Sequence, residues 1–126
     1  MNRLPALLAI LLLSAAPPAF AVDYFGSMAF CPKTGAVSWA RNYTSQSEAE
    51  EAAVDECIKQ GGKSCRALVW FKNACGSIAI GERRGAGSGW GSTKDRAELE
   101  AMKSCSGVTK KCKIKYTKCT EGYDDL

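Results

Sequence analysis

The sequence contains no histidine among its 126 residues. Histidine is the side chain whose unperturbed pKa best suits proton transfer near neutral pH, so the usual general base of an enzyme is missing. No Cys-x-x-Cys pair occurs either, so a zinc site would need thiolates at wide spacing. No Gly-x-Ser-x-Gly turn leads into a helix. These absences predict a protein that is not an enzyme and has no catalytic residue, metal or cofactor.

Long apolar runs are also scarce. The run over residues 7–13 is too short to span a bilayer, which needs about 20 apolar residues. It follows Arg3 and precedes two prolines and the small-x-small sequence of residues 19–21, the arrangement of a secretory signal peptide. We therefore expect cleavage after Ala21 and no transmembrane segment afterwards. An uncleaved N-terminal anchor is the alternative.

Residues 22–126 are enough for one small domain. A short acidic tail follows residue 119. The whole chain carries a formal net charge of +4, and such a mildly basic balance in an exported protein does not indicate nucleic acid as a partner. All seven cysteines lie after Ala21. Cysteines in a small exported domain predict disulfide bonds and a periplasmic or secreted location.

The chain repeats itself in a fixed order of features. Three stretches return: "GSMAF" at 26–30 as "GSIAI" at 76–80, "SEAEEAAVDEC" at 47–57 as "DRAELEAMKSC" at 95–105, and "CRALVWFKNAC" at 65–75 as "CKIKYTKC" at 112–119. A shared order of cysteines, glycines and alanines predicts two copies of one supersecondary unit, about 24–75 and 76–119.

Each unit has the pattern of two strands, a helix and a third strand. Ser45 lies three residues before Glu48, which is the capping-box arrangement of a helix start. The predicted elements are strands 24–30, 36–41 and 65–72 with helix 45–57, and strands 76–81, 86–91 and 111–118 with helix 93–105. The fold class is therefore α+β: two pseudo-symmetric β-β-α-β units that form one antiparallel sheet packed against two helices and stapled by disulfides.

The repeat also restricts the disulfide pattern, because equivalent cysteines should have equivalent roles. Cys57 with Cys65, and Cys105 with Cys112, each join a helix end to the next strand across a tight turn. Cys75 and Cys119 end the equivalent strands, so we expect a bond between them across the two units. Cys31 has no counterpart because Glu82 lies at the matching place. The odd thiol is either buried and inert or a link that makes a dimer with a second chain.

The stretches "YFGSMAF" at 24–30, "GAVSWA" at 35–40 and "WFKNACGSIAIG" at 70–81 resemble a family of small secreted bacterial domains, domain of unknown function 4189. The resemblance covers nearly all of the chain after residue 21. It implies secretion and a duplicated unit, and it brings no reaction and no catalytic residue. The chain departs from the family pattern in its lysine-rich last strand and in Cys31.

The stretch "GAGSGWG" at 85–91 places a glycine at every second residue. Alternation along a strand puts these glycines on one side, which leaves bare backbone there. Close packing of a helix or an aromatic ring on that side is the first interpretation. A phosphate-binding loop is the second, although the lysine and the Ser/Thr of a P-loop are absent.

The stretch "KKCKIKYTKC" at 110–119 places lysine at every second residue from Lys111 to Lys115. Period-two alternation predicts that these lysines face outward and that Cys112, Ile114 and Tyr116 face a helix. A bond between Cys75 and Cys119 would bring this strand next to the strand over residues 65–72. The candidate binding face would then combine Arg66, Trp70, Lys72, Lys111, Lys113 and Lys115.

Cations around a tryptophan suit an acidic protein or an anionic envelope polymer. The first functional hypothesis is a non-enzymatic binding module of this kind, with an inhibitor or immunity-like role as one form. The alternative is a structural envelope protein whose lysines only keep an exposed strand soluble. A secreted effector or hydrolase is a third class.

Overall fold

The computed structural model describes residues 22–124, and the predicted signal segment 1–21 lies outside this range. Within the range the chain forms six strands and two α-helices, in an order that confirms the α+β class. The elements are β1 (Phe25–Phe30), β2 (Val37–Tyr43), α1 (Gln46–Lys59), β3 (Arg66–Lys72), β4 (Cys75–Ile80), β5 (Ala86–Gly91), α2 (Lys94–Ser106) and β6 (Lys113–Cys119).

The strands form two three-stranded antiparallel sheets, in the orders β2-β1-β3 and β5-β4-β6. The prediction of a single sheet is therefore wrong. β1 contacts β4, β3 contacts β4 and β5, and β2 contacts β6, so the two sheets lie face to face. α1 packs on the first sheet and α2 on the second. Both faces of β1 and β4 are buried, as is typical of strands that are covered on both sides.

Large and small side chains occupy different layers of this packing. The core between the two sheets contains the large buried residues Met28, Phe71 and Ile78. Beneath the helices the buried residues are small, as with Ala29 against Ala53, because short side chains let a helix lie close to a sheet. Large side chains between the sheets and small ones under the helices explain why each half needs the other to bury its apolar surface.

Both helices begin where the sequence predicts. Ser45 caps α1, and its hydroxyl accepts a hydrogen bond of 3.2 Å from the backbone N–H of Glu48. Thr93 caps α2 in the same way, with a bond of 3.2 Å from the N–H of Arg96. The buried faces of the two helices are matched, with two alanines and a cysteine on each. Each helix therefore packs on its sheet through a narrow face of small side chains.

The glycines of β5 face α2, which confirms the packing interpretation of "GAGSGWG". A Cβ atom added at Gly89 would lie 2.5 Å from the backbone nitrogen of Ala101, and one added at Gly91 would lie 2.5 Å from Cγ of Arg96. At Gly87 an added Cβ would collide with the backbone nitrogen of Cys105. The strand is bare on this side because the helix backbone occupies the space of the missing side chains.

Replacing Gly87 with alanine is expected to lower the free energy of unfolding by about 1–3 kcal/mol, because the methyl group would force α2 away from β5. The control is Gly107→Ala at the end of α2, where an added Cβ finds its nearest neighbour, the carbonyl oxygen of Ser104, at 3.4 Å. We expect the control to stay within about 0.5 kcal/mol of the unmodified protein in urea unfolding. Equal stability of both variants would contradict the close approach of α2.

The third strand of each half carries a β-bulge at an equivalent place. In β3 the bulge falls at Leu68, opposite Met28 and Ala29. In β6 it falls at Lys115, opposite Ile78 and Ala79. A bulge adds one residue to one strand and re-aims the side chains beyond it.

The bulge at Lys115 overturns part of the alternation predicted for the last strand. Ile114 packs in the cluster under α2, whereas Tyr116 packs against the core between the two sheets. The two side chains therefore face opposite sides of the sheet, and the prediction that both face a helix is wrong. Strict period two holds only where no residue is inserted into the ladder.

The structure contains disulfide bonds between Cys57 and Cys65, between Cys105 and Cys112, and between Cys75 and Cys119. Cys75 is the first residue of β4, and it lies directly opposite Cys119 of β6. The last bond therefore joins neighbouring strands of the second sheet, and our prediction that it links the two units is wrong in that respect. Cys31 is free and fully buried, so a dimer through Cys31 is not supported.

Candidate functional site

The structure does not bring the six residues of the predicted binding face together. Arg66, Trp70 and Lys72 lie on β3, an edge strand that packs beside β4 and β5. Lys113 and Lys115 lie on β6, the edge strand at the opposite side of the second sheet, which contacts β2. The predicted single face is wrong, because it assumed one sheet in which the third strands of the two halves are neighbours.

Lys111 does not lie in the predicted row of outward-facing lysines on the last strand. It precedes β6 and has a positive φ of 58°, so it belongs to a turn rather than to the strand. Its ammonium group lies 3.4 Å from the carboxylate of Glu82. Lys111 therefore forms an exposed ion pair at one end of the two packed sheets. It does not continue the line of lysines along β6.

A different group of cations forms where β2 and β6 meet. Lys118 Nζ lies 4.4 Å from the centroid of the Trp39 ring, and Lys115 Nζ lies 5.6 Å from the centroid of the Tyr116 ring. The two rings are themselves in contact, with centroids 4.7 Å apart. We call this surface the basic edge and define it by Trp39, Arg41, Lys113, Lys115, Tyr116 and Lys118.

The lysines of the basic edge keep their charge available to a partner. Within residues 22–124, no carboxylate forms an ion pair with Lys113, Lys115 or Lys118. Arg41 is partly engaged, since it lies 3.6 Å from the carboxylate of Asp124 and donates a hydrogen bond of 3.3 Å to the carbonyl oxygen of Cys119. The basic edge therefore combines uncompensated positive charge with aromatic surface.

Two of the other three residues of the predicted face, Trp70 and Lys72, line an apolar cleft at the β3 and β5 edges, and Arg66 lies outside it. The cleft has a volume of about 340 Å³ and is lined by residues that include Leu68, Trp70 and Trp90. Both tryptophans are exposed. The charge of Lys72 is already engaged there, because its ammonium group lies 3.4 Å from the carboxylate of Asp23.

The ion pair between Lys72 and Asp23 is held in place by an amide. The side chain of Asn73 donates a hydrogen bond of 2.9 Å to Asp23. This hydrogen bond and the neighbouring Lys72 lower the pKa of Asp23 below its usual value. A paired lysine in an apolar cleft offers less to an acidic partner than the unpaired lysines of the basic edge.

The predicted binding face lacked four residues of the basic edge, namely Trp39, Arg41, Tyr116 and Lys118, and Tyr116 was predicted to face a helix instead. A signal for Lys118 was present, since the lysines of "KKCKIKYTKC" continue past Lys115, but the spacing there breaks period two. Trp39 and Arg41 lie on β2, far from the lysines along the chain. Nothing in their local pattern shows which strand of the second half they contact.

The described part of the chain offers neither a cluster of metal ligands nor a helix that could span a membrane. Within residues 22–124, no group of three or more His, Cys, Asp or Glu side chains is placed to hold a metal ion. In the same range no helix has the length and apolarity to cross a membrane. The three disulfide bonds indicate an extracytoplasmic domain, because thiols in the cytosol are kept reduced.

Comparisons with known proteins give one family model and one solved structure of similar fold. A family model described as "Domain of unknown function (DUF4189)" matches residues 25–119, which include all the strands and helices above. The NMR structure of Rv1813c from Mycobacterium tuberculosis is similar over 94% of this chain and 93% of that chain, with 22% sequence identity and a TM-score of 0.57. At that identity the likeness concerns the fold alone. No curated protein matches the chain.

Proposed function

The chain belongs to the DUF4189 family of domains of unknown function, and we propose that it is a non-enzymatic module that binds an acidic protein through the basic edge. In this proposal residues 1–21 direct export, and the domain acts in the periplasm or as a secreted protein. The proposal also treats the two halves as pseudo-symmetric, since each has the element order β-β-α-β and a sheet with its first strand in the centre.

The observation that carries the proposal is the placement of Lys118 over Trp39, at 4.4 Å from the ring centroid. This contact fixes the ammonium group at the surface without neutralising its charge, because an aromatic face attracts a cation but leaves it able to bind an anion. Lys113 and Lys115 extend the positive charge along β6. Such a surface attracts acidic partners over several ångströms and speeds their association at low salt.

A protein is a better match to the basic edge than a simple anionic polymer. Tryptophan, tyrosine and arginine are the residue types that contribute most to protein–protein binding energy. The basic edge places one of each, Trp39, Tyr116 and Arg41, among its lysines. A uniform polyanion would need only the lysines, so the aromatic pair supports a partner that has apolar as well as acidic side chains. An inhibitor or immunity-like role is compatible with this chemistry.

The second candidate is a structural envelope protein, and one observation favours it. β2 and β6 are both edge strands, and lysine on an edge strand prevents pairing with another chain. In this case the lysines of β6 protect the sheet from aggregation and bind no particular partner. The contact between Lys118 and Trp39 supports the first candidate, because protection of an edge requires no aromatic ring.

Replacing Lys113, Lys115 and Lys118 together with glutamine tests the basic edge. We expect the affinity for poly-L-glutamate, used as an acidic polypeptide, to fall about tenfold at low salt, since exposed charge pairs contribute roughly 0.2–1 kcal/mol each. The loss should shrink as salt is added, because screening weakens the interaction in the unmodified protein too. The measurement is a titration by fluorescence anisotropy at two salt concentrations.

The matched control is a triple variant with the same change in charge at exposed lysines elsewhere: Lys33→Gln, Lys59→Gln and Lys94→Gln. This control should lose less than about threefold in affinity, since its lysines lie outside the basic edge. If the control loses as much as the basic-edge variant, only net charge matters and the generic envelope surface is the better description. Polyphosphate serves as a comparison probe, and a basic-edge variant that weakens polyphosphate binding alone would contradict a protein partner.

A further inference from the structure

Cys31 lies beside a disulfide bond, and strand register defines the arrangement. The last paired residues of β1 and β3 are Phe30 and Arg66. Because the strands are antiparallel, the residue after Phe30 lies opposite the residue before Arg66, which places Cys31 opposite Cys65. Cys31 also shares a buried cluster with Cys57, and Cys65 packs against that cluster. The three cysteines therefore pack in one region between the first sheet and the end of α1.

The second half of the chain contains a bond of the kind that Cys31 and Cys65 could form. Cys75 and Cys119 lie directly opposite each other on β4 and β6, which are the first and third strands of that half. They are bonded, with a Cα–Cα distance of 3.9 Å. Opposite residues on antiparallel strands generally have Cα atoms about 4.5–5.5 Å apart, within the range of disulfide bonds. The backbone thus allows a disulfide between the first and third strands of a half.

Gly81 supplies a second observation, because it occupies the place of Cys31 in the second half. The register that aligns 26–30 with 76–80 aligns Cys31 with Gly81, so our earlier match to Glu82 was wrong by one residue. A Cβ atom added at Gly81 would lie 3.2 Å from Sγ of Cys112, and it would also collide with the side chain of Thr109 and lie 2.5 Å from the carbonyl oxygen of Lys110. In the disulfide of that half, Cys112 is the equivalent of Cys65. A side chain at this place would therefore start out directed toward the sulfur of the cysteine that precedes the third strand, and in the second half Thr109 and Lys110 occupy the space it would need.

We propose that Cys31, Cys57 and Cys65 form a thiol–disulfide exchange centre, in which the Cys31 sulfur attacks the Cys65 sulfur. A bond forms between Cys31 and Cys65 as the bond between Cys57 and Cys65 breaks, and the electron pair of the broken bond leaves on the Cys57 sulfur. The proton lost by Cys31 ends on Cys57. The exchange has no net oxidation or reduction, so no outside oxidant is needed.

Two properties of the site favour this exchange over reaction with disulfides outside the protein. Hydrogen bonds from the hydroxyl of Thr34 and from the backbone N–H of Ser64 lower the pKa of the Cys31 thiol to about 6, so the nucleophilic thiolate is present at neutral pH. The thiol is also fully buried. Its accessible electrophile is then the neighbouring disulfide of its own chain.

The exchange would move a covalent link from one place in the fold to another. The bond between Cys57 and Cys65 ties the end of α1 to the start of β3. A bond between Cys31 and Cys65 would tie β1 to β3 and would release the end of α1. The second half cannot do this, since it has no thiol at Gly81. The centre is therefore a switch that only the first half carries.

The test uses the repeat as its own control. Cys57→Ser and Cys105→Ser remove equivalent cysteines, and each variant is refolded in a glutathione redox buffer, alkylated without reduction and mapped by mass spectrometry. We expect Cys57→Ser to contain a Cys31–Cys65 bond and no free thiol. We expect Cys105→Ser to contain two free thiols, Cys31 and Cys112. Free Cys31 and Cys65 in a folded Cys57→Ser, or a Cys31–Cys112 bond in Cys105→Ser, would overturn the proposal.

If Cys57→Ser does not fold, a measurement on the unmodified protein tests the proposed exchange instead. The oxidised protein is held at pH 8 under native conditions, quenched with acid, alkylated and mapped in the same way. A peptide pair with a Cys31–Cys65 bond and alkylated Cys57 is expected as a minority species that increases with time to a plateau. Alkylation of Cys31 alone at every time point would overturn the exchange.

Discussion

Replacing Phe71 with alanine is expected to lower the free energy of unfolding by about 3–5 kcal/mol, the range for a fully buried phenylalanine. The ring is 1% exposed and lies between the two sheets. Glycines at equivalent places, Gly26 of β1 and Gly76 of β4, provide its space, since a Cβ added at either would collide with the ring. The two glycines have no side chain that could move into the cavity left by the ring. Relaxation of the structure should therefore recover little of the lost stability.

The control for this experiment is Trp70→Ala, on the same strand. Trp70 is 44% exposed and stacks on Phe25 at the surface, with ring centroids 6.3 Å apart. Loss of a surface aromatic pair costs about 0.5–1.5 kcal/mol. Urea unfolding monitored by circular dichroism measures both variants. A smaller loss for Phe71→Ala than for Trp70→Ala would mean that the sheets do not meet around this ring.

Removing the bond between Cys75 and Cys119 by a double change to alanine is expected to cost about 4 kcal/mol, because the chain-entropy model gives more stabilisation to a bond that closes a longer loop. This bond joins residues 44 apart in the sequence, the largest separation of the three. Both cysteines are fully buried and pack under the start of α2, against Ala97. Alanine avoids leaving an unpaired hydroxyl in that cluster.

The comparison variant is the double alanine change at Cys105 and Cys112. Their separation is 7 residues, and the same model assigns this bond about 2.4 kcal/mol. Urea unfolding measures the loss of unfolding free energy in each double variant, and we expect the larger loss from the change at Cys75 and Cys119. If the shorter loop proved more important, strain or packing at the helix end would have to outweigh the entropy of the unfolded chain.

In the first half, the place of the bond between Cys75 and Cys119 is taken by a non-covalent contact. Phe25 and Lys72 are opposite each other on β1 and β3, and the ammonium group of Lys72 lies 5.7 Å from the Phe25 ring centroid. A surface cation–π contact contributes about 0.5–1 kcal/mol, far less than a disulfide. We therefore attribute more of the local stability at this end of the sandwich to the second sheet.

Several features of the fold could be predicted from short stretches of sequence. The helix starts at Ser45 and Thr93 follow from side chains that satisfy free N–H groups within the next turn. The pairs Cys57–Cys65 and Cys105–Cys112 follow from a helix end and a strand start separated by a tight turn. These are contacts between residues close in the chain, so local spacing is sufficient to identify them.

The candidate site was only partly predictable, and the failure has a definite cause. The lysines of the last strand were identified, but their direction depended on an unbroken alternation that the bulge at Lys115 interrupts. Their aromatic partner Trp39 lies in the other half of the chain. A bulge leaves no dependable mark in a single sequence, and the pairing of distant strands leaves none either.

The amino-acid sequence by itself determined the repeated order of strands and helices, the helix caps and the pairs Cys57–Cys65 and Cys105–Cys112, because each of these depends on neighbours within a few residues. Only the tertiary structure decided that there are two sheets and that their large side chains face each other around Phe71. It also decided that Lys118 meets Trp39 while Trp70 lies at the opposite edge. These outcomes depend on which buried faces fit together between remote segments, and that fit is a property of the packed chain rather than of any local pattern.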